Sequence, residues 1–253
     1  MGYSRHRVYD DWLDLMTYAL QRDDDNYLEI VERYDNDGEQ GEREIDHFTY
    51  AFGLLQEGMN EVGHDLLGVV YEEMGHSSDS FGQHFTPHNL CDAKAEMLLS
   101  DVDEDRDEPY RVQDPASGSG RLLISAAKNL PDTVDAEFYG VDKGSTCAKM
   151  TALNLTFFNM DGYAVQGDSL TMDYRRVWQT QGSALGGDIR ELEDDEWDNP
   201  YNSEPDDVVE TDEIEEVDLV PDPEEREEDE GEVVDFQELR ETTLSDFSQG
   251  EKQ

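Results

Sequence analysis

The chain has 253 residues, which is enough for one sizeable domain or for one domain with an extension. Its 65 acidic and 18 basic residues give a formal net charge of -47, so it repels nucleic acid and anionic membranes unless a local patch overrides the mean. Two causes of this acidity are open, a long acidic tail and adaptation to a salt-rich cytoplasm, and we expect both to apply, which makes the protein halophilic.

Cysteine, histidine and apolar residues are arranged in ways that argue against several classes of protein. The two cysteines, Cys91 and Cys147, form no CxxC motif, and no histidine pair has metal-binding spacing, since Pro87 separates His84 from His88. No apolar run approaches the ~20 residues of a membrane span, and the first residues lack the apolar core of a signal peptide. We therefore expect a cytoplasmic protein without a metal and without a membrane partner.

The first third of the chain has apolar residues at helical spacing. The pattern covers residues 8–34 and, after the break "DNDGEQGE", residues 44–74. It predicts an N-terminal helical subdomain over residues 1–80.

From residue 111 the pattern changes to short strands that alternate with helices. "YRVQD", "EFYGVD" and "YAVQGDSL" are typical of strands, and "RLLISAAKNL" and "STCAKMTALNLTFFNM" are typical of helices. Such alternation predicts an α/β domain over residues 81–187 with a parallel sheet and helices on its faces. Residues 188–253 hold 29 acidic and four basic residues, which predicts an acidic, mostly disordered C-terminal tail.

The segment "DPASGSG" at residues 114–120 joins the first of these strands to a helix. Glycines at such a turn let the backbone approach a ligand, and an acid about 20 residues further on, here Asp142, can bind ribose hydroxyls. The alternative is an ordinary glycine-rich turn. Leu123 stands where a dinucleotide fingerprint has its third glycine, and no Walker A lysine follows. Asp114 suits a cationic ligand such as an amino-acid moiety.

Several motifs in this order resemble S-adenosylmethionine-dependent N6-adenine DNA methyltransferases. The resemblance extends over roughly residues 60 to 172, and it is greatest to the modification subunit of type I restriction systems and its small plasmid and phage relatives. It rests on four pieces besides "DPASGSG": "DLLGVVYEEM", "GQHFTPHNLCDAKAEML", "EFYGVDKGSTCAKMTALNLTFFNMDG" and "GDSL". It implies a Rossmann-like methyltransferase sheet, either complete or truncated.

The resemblance also implies a cofactor site for S-adenosylmethionine. Phe85, Thr86 and Pro87 would wall the methionine end, Asp114 and Gly118 would line the amino-acid portion, Asp142 would hold the ribose, and Asp168 would accept a hydrogen bond from the adenine amino group. The full expected set is Phe85, Thr86, Pro87, Asp114, Ala116, Gly118, Ser119, Gly120, Asp142 and Asp168. The alternatives are that Phe85 belongs to the core, that Asp168 caps a turn, and that Cys147 is inert filling.

The motif that holds the target base departs from the family. Its members grip the base with Asn-Pro-Pro-Tyr or Asn-Pro-Pro-Phe, and the nearest match here is "WDNPYN", which gives Asn199, Pro200 and Tyr201 as candidate catalytic residues. The alternative is an acidic loop. The acidic chain after residue 188 cannot track phosphates, so DNA binding would depend on a separate specificity subunit or another subunit of a restriction system.

Two functions remain open at this stage. One is a DNA adenine-N6 methyltransferase of a restriction-modification type system. The alternative is a catalytically degenerate relative that binds S-adenosylmethionine and acts as a regulatory or anti-restriction-like module.

Overall fold

The computed structural model describes residues 3–75, 85–102, 104, 106, 108–193 and 196–197. These residues belong to one compact unit, Met1–Asn199, and form seven helices and five strands. The helices are α1 (Arg5–Gln21), α2 (Asp24–Val31), α3 (Glu44–Val62), α4 (Leu67–Gly75), α5 (His88–Leu98), α6 (Arg121–Asn129) and α7 (Ser145–Phe157). The strands are β1 (Tyr110–Asp114), β2 (Ala136–Asp142), β3 (Gly162–Asp168), β4 (Asp173–Gln181) and β5 (Asp188–Leu192).

The N-terminal region is helical, and each of the two apolar patterns in the sequence corresponds to two helices, α1 with α2 and α3 with α4. The Ser4 hydroxyl accepts a hydrogen bond from the backbone N–H of Arg7 at the start of α1. Asp23 caps α2 in the same way, and Gly63 ends α3 in the left-handed conformation. These caps explain why the helices break inside the two apolar runs.

The helices before residue 80 share a hydrophobic core with the α/β region. Leu13 and Met16 of α1 pack in one cluster with Met150 and Leu153 of α7, all of them buried. The domain boundary expected at residue 80 therefore crosses a common core, and the division into two domains stays a prediction.

The sheet has the order β1-β2-β3-β4-β5 and is mixed. β1, β2 and β3 are parallel and are joined by α6 and α7, as the sequence predicts. The structure adds two strands that the sequence analysis did not predict, and these make the sheet mixed, because β4 pairs antiparallel with β3 and β5 antiparallel with β4. Only residues 169–172 connect β3 to β4, and a parallel connection needs about a dozen residues or more.

The acidic C-terminal region begins with an ordered strand. β5 covers residues 188–192, and its Ile189 is buried in the cluster that contains Trp178 of β4 and Leu155 of α7. The low-order tail expected from residue 188 thus starts on a paired strand. From residue 198 onward it lies outside the described residues.

Candidate functional site

Three aspartates end the three parallel strands at the same edge of the sheet. Asp114 is the last residue of β1, Asp142 of β2 and Asp168 of β3. The register pairs Asp114 with Gly140 and Asp142 with Gln166, so each strand reaches beyond the one before it. The carboxyl edge of a parallel sheet is where open α/β folds bind ligands. Residues that the sequence separates by more than 50 positions are therefore brought to one edge.

The glycine-rich loop between β1 and α6 is tightly packed. Gly118 has a φ of 58°, and a Cβ atom at this position would lie 2.7 Å from Cδ1 of Phe85. Gly120 has a φ of 85° and forms the N-cap of α6. The Ser117 backbone N–H donates to the carbonyl of Val141 at 2.9 Å, which ties the loop to β2. Gly118 is required here because Phe85 lies directly against it.

The carboxylate of Asp142 is fixed by two backbone N–H groups. Gly118 donates to one of its oxygens at 3.0 Å and Gly144 to the other at 2.7 Å. Burial raises the pKa of Asp142 despite these bonds. The Cys147 side chain is a third hydrogen-bond partner of this carboxylate, which still has capacity for a ligand hydroxyl because its two oxygens can accept about four hydrogen bonds. The neighbouring Cys147 is buried, and burial together with Asp142 raises its pKa to about 12, so it is not a reactive thiolate.

A cavity of about 200 Å³ opens where β1 ends. The Asp114 side chain faces it and accepts a hydrogen bond from the backbone N–H of Ala116 at 3.0 Å. Burial raises the pKa of Asp114, and the charge of Asp142 adds to this effect. The cavity is lined by Phe85, Thr86, Cys91, Lys94, Asp114, Ala116, Ser117, Gly118, Ser119, Arg121 and Leu122.

Four members of the expected cofactor set do not line this cavity: Pro87, Gly120, Asp142 and Asp168. Pro87 is the N-cap residue of α5, and Gly120 packs on Thr151 at the start of α6. Phe85 was expected either to wall the cofactor site or to belong to the core, and its position agrees with both. It lines the cavity, and its ring also packs 5.8 Å from the ring of Tyr71.

A second cavity, of about 360 Å³, lies at the end of β3. Asp168 lines it and already has a partner, since Nζ of Lys143 lies 2.7 Å from its carboxylate. This hydrogen bond lowers the pKa of Asp168. The other carboxylate oxygen accepts from the backbone N–H of Leu170 at 3.0 Å, as a turn cap would. The Lys143 side chain is 74% exposed, so opening the ion pair to a ligand costs little.

A buried aspartate that the sequence reasoning did not single out ties the site together. Asp65, in the loop before α4, is fully buried and receives four hydrogen bonds, two on each oxygen. The donors are the Gly68 N–H at 2.8 Å, Asn154 at 2.8 Å, Ser119 at 2.6 Å and the Arg121 Nε at 2.8 Å. Asp65 therefore joins the region before α4 to the glycine-rich loop and to α7.

Arg121 extends this network to the wall of the first cavity. Its guanidinium is 6% exposed and makes a second ion pair with Glu72 at 2.7 Å. The other Glu72 oxygen accepts a hydrogen bond from the backbone N–H of Phe85 at 2.8 Å. The Arg121 guanidinium lies 5.2 Å from the centre of the Phe85 ring. Arg121 also donates to the carbonyl of Thr86 at 3.4 Å. The network thus holds Phe85 and Thr86 over Gly118.

The candidate catalytic residues Asn199, Pro200 and Tyr201 lie outside the described residues. Within the part of the chain that the structure describes, no group of three or more His, Cys, Asp or Glu side chains is arranged to hold a metal ion. In the same part, no helix combines the length and apolar character that crossing a bilayer requires.

Parallel strands with a glycine-rich loop after the first and a carboxylate at the end of the next two are an arrangement in which α/β proteins bind nucleoside cofactors. Comparison with protein families narrows this class. Residues 62–185, just under half of the chain, match the family described as N-6 DNA Methylase. The matched segment contains Asp65, the glycine-rich loop and all three strand-end aspartates.

One curated relative illustrates how partial this relationship is. The chain is 27% identical over 109 residues to the Type II methyltransferase M.XamI of Xanthomonas campestris pv. amaranthicola. The alignment covers 43% of this chain and 19% of the relative, so the chain spans about a fifth of that protein's length. No solved structure matches the chain.

Proposed function

We propose that the chain binds S-adenosylmethionine along the carboxyl ends of β1, β2 and β3. The observation that carries this proposal is the row of Asp114, Asp142 and Asp168 with a cavity at each end of it. Adjacent strands are about 4.8 Å apart, so the ends of β1 and β3 are separated by roughly 10 Å within the sheet. An elongated ligand with an amino-acid end, a ribose and a base suits this distance.

The chemistry of the side chains also fits this cofactor. Asp114 offers a carboxylate to the cationic amino-acid end, and the Phe85 ring covers the same cavity. Asp142 offers two acceptor oxygens to ribose hydroxyls. A side chain at position 118 would meet Phe85, so the bare glycine lets the Phe85 ring pack directly against the loop. At Asp168 the adenine amino group would replace the ammonium of Lys143.

The reaction would be methyl transfer to the N6 atom of adenine in DNA. The bound cofactor supplies a methyl group on a positively charged sulfur atom, which a nitrogen nucleophile can take by direct displacement. The residues of this chain contribute position and water exclusion. Asp65 and Arg121 hold the loop and the Phe85 wall, and Asn199 and Tyr201 are the candidates for gripping the target base.

The acidity of the chain indicates that it does not recognise DNA alone. A net charge of -47 opposes phosphate binding, so we place DNA recognition in a separate specificity subunit of a restriction-modification type system. A small plasmid, phage or haloarchaeal origin and a cytoplasmic location complete the proposal. A second function is favoured by the sequence itself, because no Asn-Pro-Pro-aromatic tetrapeptide occurs in it. In that case the protein binds the cofactor and regulates a restriction system without transferring the methyl group.

A methyl-transfer assay separates these two functions. Tritium transfer from labelled cofactor to mixed-sequence duplex DNA is measured at high salt, with and without the products of neighbouring genes. We expect no transfer by the chain alone and transfer when a specificity subunit is added. Transfer by the chain alone that Asn199→Ala abolishes would place the acceptor site at residues 199–201 and contradict the need for a partner. Cofactor binding without transfer under any condition would favour the regulatory function.

A further inference from the structure

The cavity at the end of β1 has charges of opposite sign on two of its walls. Asp114 stands on the strand side, and Lys94 of α5 stands on the helix side. The two charges are close enough to influence each other, because Lys94 lowers the pKa of Asp114 against the larger effect of burial. A cavity that offers both an anion and a cation suits a ligand that carries both charges.

Helix α5 holds Lys94 in a fixed place beside this cavity. The helix is anchored by Ala95, which is buried in the main core cluster, and by the Ser125 hydroxyl, which donates to Asp92 at 2.6 Å. Cys91 lines the cavity one turn before Lys94, so residues at this spacing share one helix face. The Lys94 side chain is exposed and can therefore reorient at its tip while its Cα atom stays in place.

Lys94 is also available in a chain where basic groups are scarce. The sequence has five lysines: Lys94, Lys128, Lys143, Lys149 and Lys252. Lys143 and Lys149 are paired with Asp168 and Asp14, whereas Lys94 makes no salt bridge with any residue that the structure describes. The other cation of the cavity, Arg121, already binds Asp65 and Glu72. Lys94 is thus the cation of this cavity that can take an incoming carboxylate.

We propose that Lys94 binds the carboxylate of the cofactor's amino-acid end while Asp114 binds its ammonium group. The pair would make the cavity selective for an intact α-amino acid. This inference rests on the proposed binding of S-adenosylmethionine and adds to it a residue that decides which form of the ligand is accepted. The selectivity runs against the mean field of the protein, since a net charge of -47 favours the more cationic ligand that lacks a carboxylate.

The test compares two ligands and three proteins by isothermal titration calorimetry. The ligands are S-adenosylmethionine and decarboxylated S-adenosylmethionine, and the proteins are the wild type, Lys94→Met and Lys128→Met. Lys128 is the matched control, because it is an exposed lysine on α6 that does not line the cavity. Methionine keeps much of the aliphatic stem, and thermal melts confirm that each variant is folded. The titrations are run in molar KCl, where the Debye length is about 3 Å and long-range repulsion is screened.

We expect the wild type and Lys128→Met to bind the intact cofactor roughly tenfold more tightly than the decarboxylated one. Tenfold is near the lower end for a hydrogen bond between charged groups, as fits a solvent-exposed lysine. Lys94→Met should lose this preference by weakening the intact cofactor only. An unchanged preference in a folded Lys94→Met protein overturns the assignment of Lys94 and leaves the proposed function in place. Binding of neither ligand by the folded wild type overturns both.

Discussion

Replacing Asp65 by asparagine tests whether the buried network supports the candidate site. The substitution keeps the shape of the side chain but removes its charge and turns one acceptor oxygen into an NH₂ donor. In the wild type each Asp65 oxygen accepts two hydrogen bonds. In either orientation, the new NH₂ group would therefore point at other hydrogen-bond donors. Arg121, 6% exposed, would keep Glu72 as its remaining ionic partner.

The expected loss of folding free energy follows from the burial of the Asp65–Arg121 ion pair. Removing one partner of a buried ion pair costs about 3–5 kcal/mol, and the remaining Glu72 contact places the expected loss near 3 kcal/mol. For a domain of this size about 3 kcal/mol corresponds to a fall in Tm of roughly 6–12 °C. The network also fixes Phe85, so binding of S-adenosylmethionine should weaken as well.

Thermal unfolding in molar KCl, followed by circular dichroism, measures this loss. Asp92→Asn is the matched control, because Asp92 accepts a single hydrogen bond from Ser125 and lies partly exposed on α5. Its expected cost is about 1 kcal/mol. If Asp65→Asn melts no lower than Asp92→Asn, the Asp65 network does not stabilise the fold and cannot hold Phe85 in place.

Three further predictions concern the glycine-rich loop, pH and salt. Gly118→Ala should lower Tm by several degrees and weaken cofactor binding at least tenfold, because its Cβ would meet Phe85 at 2.7 Å and its φ is 58°; equal affinity by calorimetry would contradict this. Cofactor affinity should fall as pH drops from 7 toward the ordinary carboxyl pKa of about 4, because burial raises the pKa values of Asp114 and Asp142 and they take up protons early. Over the same window their contribution to folding stability should rise, since the folded state binds protons that the unfolded state does not, and urea unfolding of wild type against Asp114→Asn would show the opposite sign if this is wrong. Tm should increase steeply between dilute buffer and molar KCl because the net charge is -47, and a flat profile would contradict the halophilic interpretation.

The sequence predicted the part of the fold that local patterns specify. β1, α6, β2, α7 and β3 fall where the alternation of strand and helix patterns placed them, because each buried strand and each helix carries its own hydrophobic periodicity. β4 and β5 were missed. Residues 173–181 contain Tyr174, Val177 and Trp178, and the glycines at 182, 186 and 187 are typical of a hairpin turn, so a strand signal was present.

The last strand was missed because residues 188–192 are strongly charged. An edge strand needs few buried side chains, and β5 buries Ile189 while Glu191 pairs with Arg176 at 2.6 Å and 2.7 Å. Composition alone therefore assigned this strand to the acidic tail, although neighbouring groups balance its charge.

Part of the candidate site could likewise be predicted from the sequence, and part could not. The glycine-rich loop and Asp142 could be predicted because their spacing along the chain reflects one strand and one helix. The Asp65 network could not, since its partners Ser119, Arg121 and Asn154 are 54, 56 and 89 residues away. No local pattern encodes such contacts, and they appear only when the α4 region packs on the sheet.

The most direct test of the proposed cofactor site is calorimetric titration of the full chain with S-adenosylmethionine in molar KCl, with Asp142→Ala measured beside it. We expect one binding site in the wild type and a loss of roughly 1–3 kcal/mol in binding free energy in Asp142→Ala, because a carboxylate that holds ribose hydroxyls forms charge-assisted hydrogen bonds. Thermal melts of both proteins establish that they are folded. No heat at millimolar cofactor from the folded wild type, or equal affinity in Asp142→Ala, would contradict the proposed cofactor site.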